Sequence, residues 1–416
     1  MIHRLDIENF YSIRETQIID LRIGAKVPDE EGRFGRLRDG SDVRVSKTVA
    51  FLGANASGKS TVLKALAFLG WFIADSFELA PDDPLPLWRF ADGNTNPVRI
   101  KVEFDRLPVS DEKDEPYSGK PNPGRYVYEA RFSGAGGKPL SVLSEELRLQ
   151  PVSGKSRRIF ERNENGEVRS SPGFPLKGFN PVLAKLRGNV SLTSTLAQFA
   201  EFAEHEPAAA FVWWAKNIHA NFLTASSDPL EREVEISNKS LFQLYKETPG
   251  LVDYLNGVLG RVDLGIRSMS FAEMVLVGPV LQFHHEGLEQ PIQFHFESEG
   301  TRQFLRVYPL IWDALLYGGI AVLDELDSTI HPALLPEIFR WFQDPKENPN
   351  NAQLWMSGHS ASLLEELKKE EIFFTEKDQQ GRTKVYGLKD IEGVRRVDNF
   401  YQKYLGGVYG AVPRIG

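Results

Sequence analysis

The sequence predicts an α/β fold in which a glycine-rich phosphate-binding loop joins a buried strand to a helix. A mixed or antiparallel β lobe and a helical insertion accompany that core. Three observations predict it: the run GANASGKST at Gly53–Thr61, an apolar strand ending in two carboxylates at Asp324-Glu325, and alternating strand patterns between Val98 and Leu149. The first fits G-x-x-x-x-G-K-[ST], with Gly53, Gly58, Lys59 and Ser60 at the fixed positions. Glycine lets the backbone curl so that successive N–H groups face a concavity sized for a phosphate; Asn55, Ala56, Ser57 and Thr61 complete the loop. Lys59 would reach the β- and γ-phosphates, and the Ser60 hydroxyl would ligate Mg²⁺. Val49–Leu52 reads as the strand feeding the loop, and Thr61–Leu69 as the helix whose N-terminus faces the anion. A chance Gly/Ser turn does not explain that strand–loop–helix setting, so nucleoside triphosphate binding, with ATP and Mg²⁺, is the expectation.

At 416 residues the chain has room for two or three domains, or for one large domain carrying an insertion. Its net charge of −8 gives no global electrostatic footprint for nucleic acid and leaves only a local basic stripe as an option. Cysteine is absent, which excludes disulfides and zinc ribbons and suits a reducing cytoplasm. The N-terminal Ile2–Phe10 alternates like a strand and carries charges where a signal peptide needs an apolar run. Apolar stretches such as Ala65–Ala74 stop well short of the ~20 residues that span a bilayer. A soluble, cytoplasmic protein without a membrane partner is expected.

Strand signals fall at Arg4–Phe10, Gln17–Ile23 and Val49–Leu52, then at Val98–Phe104, Tyr126–Phe132 and Glu145–Leu149, with Asp111–Gly124 as a polar loop. The pattern turns helical at Val182–Leu186, Leu192–Ala203, Ala208–Ile218, Leu241–Lys246 and Leu251–Leu259. Strands return at Ile266–Phe271, Met274–Val277 and Ile292–Phe296. The expected division is 1–170 (first half of the head, with the phosphate loop and β lobe), 171–265 (helical insertion) and 266–416 (second half). No sustained heptad run separates the halves, which excludes a long coiled-coil arm.

Gly319–Glu325 is the strand that completes the nucleotide site. Asp324 would hold the Mg²⁺ shell, and Glu325 would act as general base on the attacking water. Leu326-Asp327-Ser328 follows, at the position where nucleotide-dimerising ATPases keep a loop that crosses the dimer interface, and His331 and Pro332 open the helix Ala333–Phe342. Gln353–Ser357 is a strand ending at Gly358-His359-Ser360, where an imidazole would touch the γ-phosphate. Ser298-Glu299-Gly300 heads the apolar-striped helix Phe304–Leu316; Ser298 and Gly300 at a helix N-terminus form an anion site, against the plainer reading of a Ser N-cap.

The order of phosphate loop, Ser-x-Gly helix, Asp-Glu strand, Asp loop and histidine strand resembles that of ABC-type ATPase heads, in which the Ser-x-Gly of one head closes over ATP held by another. Within that class the chain resembles the OLD-like ATPases of the abortive-infection AbiL/RloA type. The resemblance runs nearly end to end, through Ile7–Ile13 (IENFYSI), Gly53–Thr61, Glu297–Thr301, Leu323–Leu335 (LDELDSTIHPALL) and Tyr404–Pro413 (YLGGVYGAVP). Tyr11 stands where the family often has a basic residue, and Ser-Gly-His-Ser replaces the more usual Thr-Thr-His. The resemblance also implies a glutamine that senses the metal, for which Gln198 is the candidate. Only 57 residues follow His359, fewer than the roughly 100 of a Toprim nuclease domain, so no nuclease in cis is expected.

The resemblance implies a slow, regulatory ATPase of an anti-phage pair. It would form a homodimer or higher homo-oligomer around ATP and control a separate, nuclease-like effector encoded nearby, in answer to a phage-derived trigger. Two other readings compete. A RecF-like DNA-repair ATPase would bind duplex DNA, which the acidic net charge disfavours, although Arg157, Arg158, Arg162, Lys185 and Arg187 leave a basic face open; these read more simply as solvated surface. A nucleotide-gated scaffold with negligible turnover is the third. The 180–260 region, which the head chemistry does not require, is the expected place for partner contacts.

Overall fold

The structure, a computed structural model, describes every residue except 30–31, 37–42, 106–123, 135–138, 152–154, 172–173, 175, 177, 200–205, 223–237, 249, 260–264, 275–277, 331–333 and 413–416. In chain order, β1 (Ile2–Glu8), β2 (Gln17–Asp20), β3 (Arg22–Ile23), β4 (Phe34–Arg36), β5 (Arg44–Ser46) and β6 (Thr48–Leu52) precede helix α1 (Lys59–Asp75). Then come β7 (Val98–Asp105), β8 (Gly124–Ser133), β9 (Ser141–Pro151), β10 (Arg157–Arg162) and β11 (Val168–Ser170). The middle of the chain holds α2 (Asn180–Leu183), α3 (Leu192–Leu196), α4 (Glu206–Lys216), β12 (Ile218–Ala220), α5 (Asn238–Glu247), α6 (Leu251–Leu259), β13 (Ile266–Met274), β14 (Gly278–His285) and β15 (Ile292–Gln293). The last part holds α7 (Glu299–Tyr317), β16 (Ile320–Leu323), α8 (Leu326–Thr329), α9 (Leu335–Gln343), β17 (Gln353–Ser357), α10 (Leu363–Glu366), β18 (Ile372–Lys377), β19 (Thr383–Gly387) and α11 (Phe400–Leu405).

Two sheets carry the architecture. The central one has the order β12-β16-β17-β6-β18-β19, parallel except for β19. The other is antiparallel, in the order β11-β10-β9-β8-β7-β1-β2. Strand β6 explains how they stack. All five of its residues are buried, because a parallel strand is covered on both faces. Its side chains alternate between two cores with the period of two that a strand imposes. Val49 and Phe51 join the core beneath α1 and the antiparallel sheet, together with Val322, Trp355 and Phe373. Ala50 and Leu52 join the opposite core, beneath α7 and α9, with Leu323, Met356 and Phe374.

Most expected elements are present with shifted ends. The predicted Leu192–Ala203 helix is shorter within the described residues, because α3 stops at Leu196. Its hydroxyls turn to backbone groups nearby: Ser191 Oγ accepts from Ser194 N, and Thr193 Oγ1 donates to the Ile73 carbonyl. The Asp111–Gly124 loop, up to residue 123, and residues 275–277 of the Met274–Val277 strand lie outside the described residues. Residues 171–265 are more than a helical insertion. Within them β12 pairs in parallel with β16 at the edge of the central sheet. Helix α4 enters the first core, where Trp214 stacks on Phe104 with ring centroids 3.7 Å apart. α1 is the one helix, among the described residues, long and apolar enough to cross a bilayer; it is mostly buried as a core helix.

The two sheets meet at Gln353, which is fully buried. Its Oε1 accepts from Ile2 N at 2.6 Å, and its Nε2 donates to Ile2 O at 3.1 Å and to Ser46 O at 2.9 Å. One amide at the start of β17 therefore satisfies backbone groups of β1 and β5. Gln353→Leu strands those three groups, each worth about 1–3 kcal/mol when left buried and unpaired. The expected result is a loss of roughly 3 kcal/mol or more in denaturant unfolding; a midpoint equal to wild type would exclude this seam as a stability determinant.

Candidate functional site

Parallel pairing of β12, β16, β17, β6 and β18 sets the carboxyl ends of these strands along one edge, the usual place for a ligand in an open α/β sheet. The phosphate loop leaves β6 there, Asp324-Glu325 leaves β16, and Gly358-His359 leaves β17. Gly358 N donates to Phe51 O at 3.0 Å, locking the third segment to the first. The result is a cleft of about 1010 Å³ lined by Asn55 through Thr61, Glu325, Ser328 and His359. Tyr11, Ser12, Trp88–Ala91, Lys377 and Gly381 line it as well.

The loop is held in shape by its glycines and by threonines from the last strands. Gly53 (φ 152°) and Gly58 (φ 111°) occupy backbone regions that side chains rarely enter. A Cβ on Gly53 would strike the Thr375 carbonyl, and one on Gly58 would strike Thr383 Oγ1. Thr375 Oγ1 lies 2.6 Å from Ser57 Oγ, and Thr383 Oγ1 donates to the Ser57 carbonyl at 2.8 Å. The C-terminal segment braces the same loop. Tyr404 and Tyr409 stack on Phe374, and Ala54 N donates to Ala411 O at 3.2 Å.

Lys59, Glu325 and His359 converge at one end of the cleft. Lys59 Nζ donates to Gly53 O at 3.0 Å and Ala54 O at 3.1 Å, and lies 3.4 Å from His359 Nδ1. His359 Nε2 lies 3.2 Å from Glu325 Oε1. A neutral imidazole with its proton on Nε2 satisfies both neighbours, accepting from the ammonium and donating to the carboxylate. Burial holds the Lys59 pKa below its ordinary value, against the opposing pull of Asp324, Glu325 and Asp327. A partly desolvated ammonium interacts more strongly with a phosphate than a hydrated one does. Glu325 takes a left-handed backbone (φ 52°), a strained conformation that recurs at functional sites. Ser357 Oγ accepts from Glu325 N at 2.8 Å and donates to Asp324 Oδ1. Asp327 Oδ2 accepts from His359 N at 2.7 Å and Ser360 N at 2.5 Å. Asp327 thus sets the histidine loop in place within its own chain.

Ser60 and Asp324 supply hydroxyl and carboxylate oxygens, the hard donors that Mg²⁺ takes together with phosphate and water. Among the described residues no group of three or more His, Cys, Asp or Glu forms a cation cage, and a nucleotide-borne Mg²⁺ needs none. Gln198 does not belong to this set. It is exposed, and its Nε2 donates to Ser194 O at 3.2 Å, beside Ile73 and Phe77 at the far end of α1. The rise of that helix puts it about 20 Å from Ser60. The sheet edge offers Asn221 instead, directly after β12: its Oδ1 accepts from Asp324 N at 2.8 Å and its Nδ2 donates to Asp324 O at 3.0 Å. The three-residue β12 carries too little periodicity to reveal it in the sequence.

Ser298 and Gly300 are not among the residues lining the cleft. Ser298 is exposed at the head of α7 and caps it, its Oγ accepting from Thr301 N at 3.1 Å. His331 and Pro332 lie outside the described residues. The basic cluster is divided: Arg157 and Lys185 are exposed, while its other three arginines are engaged within the chain. Arg162 is buried and donates to Val190 O and Arg187 O, and Arg187 donates to Phe77 O and Leu79 O. Arg158 is paired with Glu146 and Glu161.

A parallel sheet with a phosphate loop and two carboxylates at its carboxyl edge defines a P-loop nucleotide-binding domain. Residues 49–365 match the family described as "AAA domain, putative AbiEii toxin, Type IV TA system", and the chain belongs to that family. No curated protein matches the sequence. Among solved structures, the SMC head domain from Thermotoga maritima is similar at 12% identity and a TM-score of 0.42, covering 93% of this chain and 98% of that one. An SmcHead bound to the C-winged helix domain of ScpA is similar at 13% identity and a TM-score of 0.49, over 93% and 97%.

Gly58→Ala is expected to weaken ATP binding by tenfold or more, since the forbidden φ alone costs ~1–3 kcal/mol and the Cβ displaces Thr383. Titration calorimetry with a thermal melt on the same sample checks it. Normal affinity in the folded variant would show that the Gly58–Thr383 contact does not shape the loop.

Proposed function

We propose that this chain binds and hydrolyses ATP as the regulatory subunit of an anti-phage, abortive-infection system. The observation that carries the ATPase reading is the Lys59–His359–Glu325 chain at one end of the cleft. Lys59 and the loop amides hold the β- and γ-phosphates. Ser60 and Asp324 would hold Mg²⁺, whose part is to offset the charge on those phosphate oxygens. Glu325 accepts a proton from the water that attacks the γ-phosphorus, the bond to the β-bridging oxygen breaks, and ADP and phosphate leave. His359, between Lys59 and Glu325, reports whether the γ-phosphate is present.

Dimerisation around ATP is supported by the surface position of Ser298, outside the cleft of its own chain, with the side chain of Phe296 74% exposed beside it. A helix N-terminus there suits the γ-phosphate bound to a second copy. ATP then acts as a ligand that favours the assembled state. The abortive-infection role is supported by the sequence resemblance to the OLD-like AbiL/RloA ATPases and by the family description, which refers to a toxin of a type IV toxin–antitoxin system. The effector is a separate, nuclease-like protein encoded nearby, released when a phage-derived trigger changes the nucleotide state. Duplex DNA as the ligand is disfavoured by the acidic net charge and by the internal bonding of Arg162 and Arg187, which takes two cations out of the basic cluster.

Glu325→Gln is expected to keep ATP affinity, lose about 10²–10⁴-fold in turnover and accumulate as an ATP-bound dimer by light scattering. Unchanged hydrolysis removes Glu325 as the base, and a variant that stays monomeric with ATP removes the composite site. Lys59→Ala is expected to lose ATP binding and, in cells, phage protection. Full protection from that variant would sink the defence role.

A further inference from the structure

The phosphate-binding end of the cleft occupies part of a longer trough. Lys59, His359 and Glu325 mark the γ-phosphate end. Thr61, two residues past Lys59, marks the other end of the loop, and Ser12 Oγ lies 3.1 Å from Thr61 Oγ1. The sugar and base of a bound nucleotide must leave the loop on that side. Tyr11, next to Ser12 and bonded through its N–H to Trp88 O, puts the 88–91 segment beside Thr61, and this segment lines the cleft.

Trp88 stands out in that wall. It is 56% exposed, while Leu85 and Leu87, just before it, are 4% and 3% exposed and sit in the core. The chain alternates here so that the largest apolar side chain lines the cleft, where among the described residues no ring or hydrogen-bond contact of the indole is seen. The segment carrying it is clamped. Tyr11 N donates to Trp88 O at 2.9 Å. The Asn9 amide, in a fully buried residue, donates to Asn94 Oδ1 at 3.0 Å and Asn96 O at 2.7 Å. Arg14 pairs with Asp92 at 2.6 Å, and Arg89 donates to Gly134 O at 2.9 Å, which commits its guanidinium to bracing the segment. Asn9 and Tyr11 both hold left-handed backbones, at φ 53° and 49°. Strain of this kind persists only where surrounding contacts fix it, and it recurs at ligand clamps. A fixed aromatic face loses little freedom when a ligand lies on it.

We propose that Trp88 is the base-stacking platform of the cleft and that the ligand is a purine nucleoside triphosphate lying with its base on the indole face. This rests on the nucleotide reading above and adds the recognition of the base. Stacking tolerates any base and grows with the aromatic face presented. Adenine and guanine are therefore held alike through Trp88, and pyrimidines less well.

The test measures Mg²⁺-dependent binding of ATP, GTP, CTP and inorganic tripolyphosphate to wild type, Trp88→Ala and Trp88→Phe, each shown to melt normally. Trp88→Ala is expected to weaken ATP and GTP about 5- to 150-fold, the usual effect of removing a stacking aromatic. Tripolyphosphate affinity stays within about twofold on the same reasoning, and Trp88→Phe recovers most of the purine affinity. Energy transfer from tryptophan to N-methylanthraniloyl-ATP provides a second readout, with a component lost in Trp88→Phe. Unchanged ATP affinity in Trp88→Ala, or an equal loss for ATP and tripolyphosphate, overturns the proposal. Failure of the nucleotide reading looks different: wild type would then bind neither ATP nor tripolyphosphate, or Lys59→Ala would bind both normally.

Discussion

Strand β6 must be buried on both faces, and that constraint orders the rest of the molecule. Its hydrogen-bonding neighbours, β17 and β18, come about 300 residues later in the chain. Its alternate side chains seed two separate cores. The phosphate loop at its end consequently has no fixed shape until the last strands arrive, because Thr375 and Thr383 are the residues that bond Ser57 and confine Gly53 and Gly58. Pairing across such sequence separation costs loop entropy before it is rewarded. Gln353 reduces the number of independent solutions. Its single amide bonds β1 and β5 at once, so the antiparallel sheet and the central sheet dock in one register.

The sequence was most legible where chemistry and period coincide. GANASGKST sits between a buried strand and a helix, and the structure places Asp324-Glu325 and His359 at the ends of neighbouring strands. Legibility failed where a residue's role depends on the far side of the fold. Gln198 lies in an apolar helical pattern that looks suitable for a site, but Ser191 and Thr193 fasten that segment to the far end of α1. Asn221 follows a three-residue strand that no periodicity argument detects, and only its pairing beside β16 brings it to Asp324. Arg162 reads as surface charge, yet it is buried and donates to the carbonyls of Arg187 and Val190. Charge in a sequence says little about burial when backbone carbonyls are available as partners.

The C-terminal segment explains why the resemblance extends to YLGGVYGAVP. Its described residues, 404–412, are not among those lining the cleft. Tyr404 and Tyr409 cover Phe374 of β18, the Tyr386 hydroxyl donates to Tyr409 O at 2.8 Å, and Ala411 O accepts from the loop residue Ala54. The tail is a brace on the outer side of the phosphate loop. Its contacts go to the loop's shape, which fits a motif without a formally charged side chain.

The two ends of the cleft differ in how they are held, and the difference bears on regulation. At the base end, buried Asn9, the Arg14–Asp92 pair and two left-handed residues fix the wall. At the γ-phosphate end, Glu325 and His359 are partly exposed and are held by each other and by Lys59. A phosphate that draws Lys59 toward itself removes one of the two partners of the imidazole. His359 is then left to the carboxylate and to the Asp327 oxygen that fixes its backbone. On the proposed reading, nucleotide capture would therefore disturb the contacts of Glu325 and His359 more than the clamped wall around Trp88. Such a site would place its response where a second copy is proposed to dock, which suits control of assembly better than steady turnover.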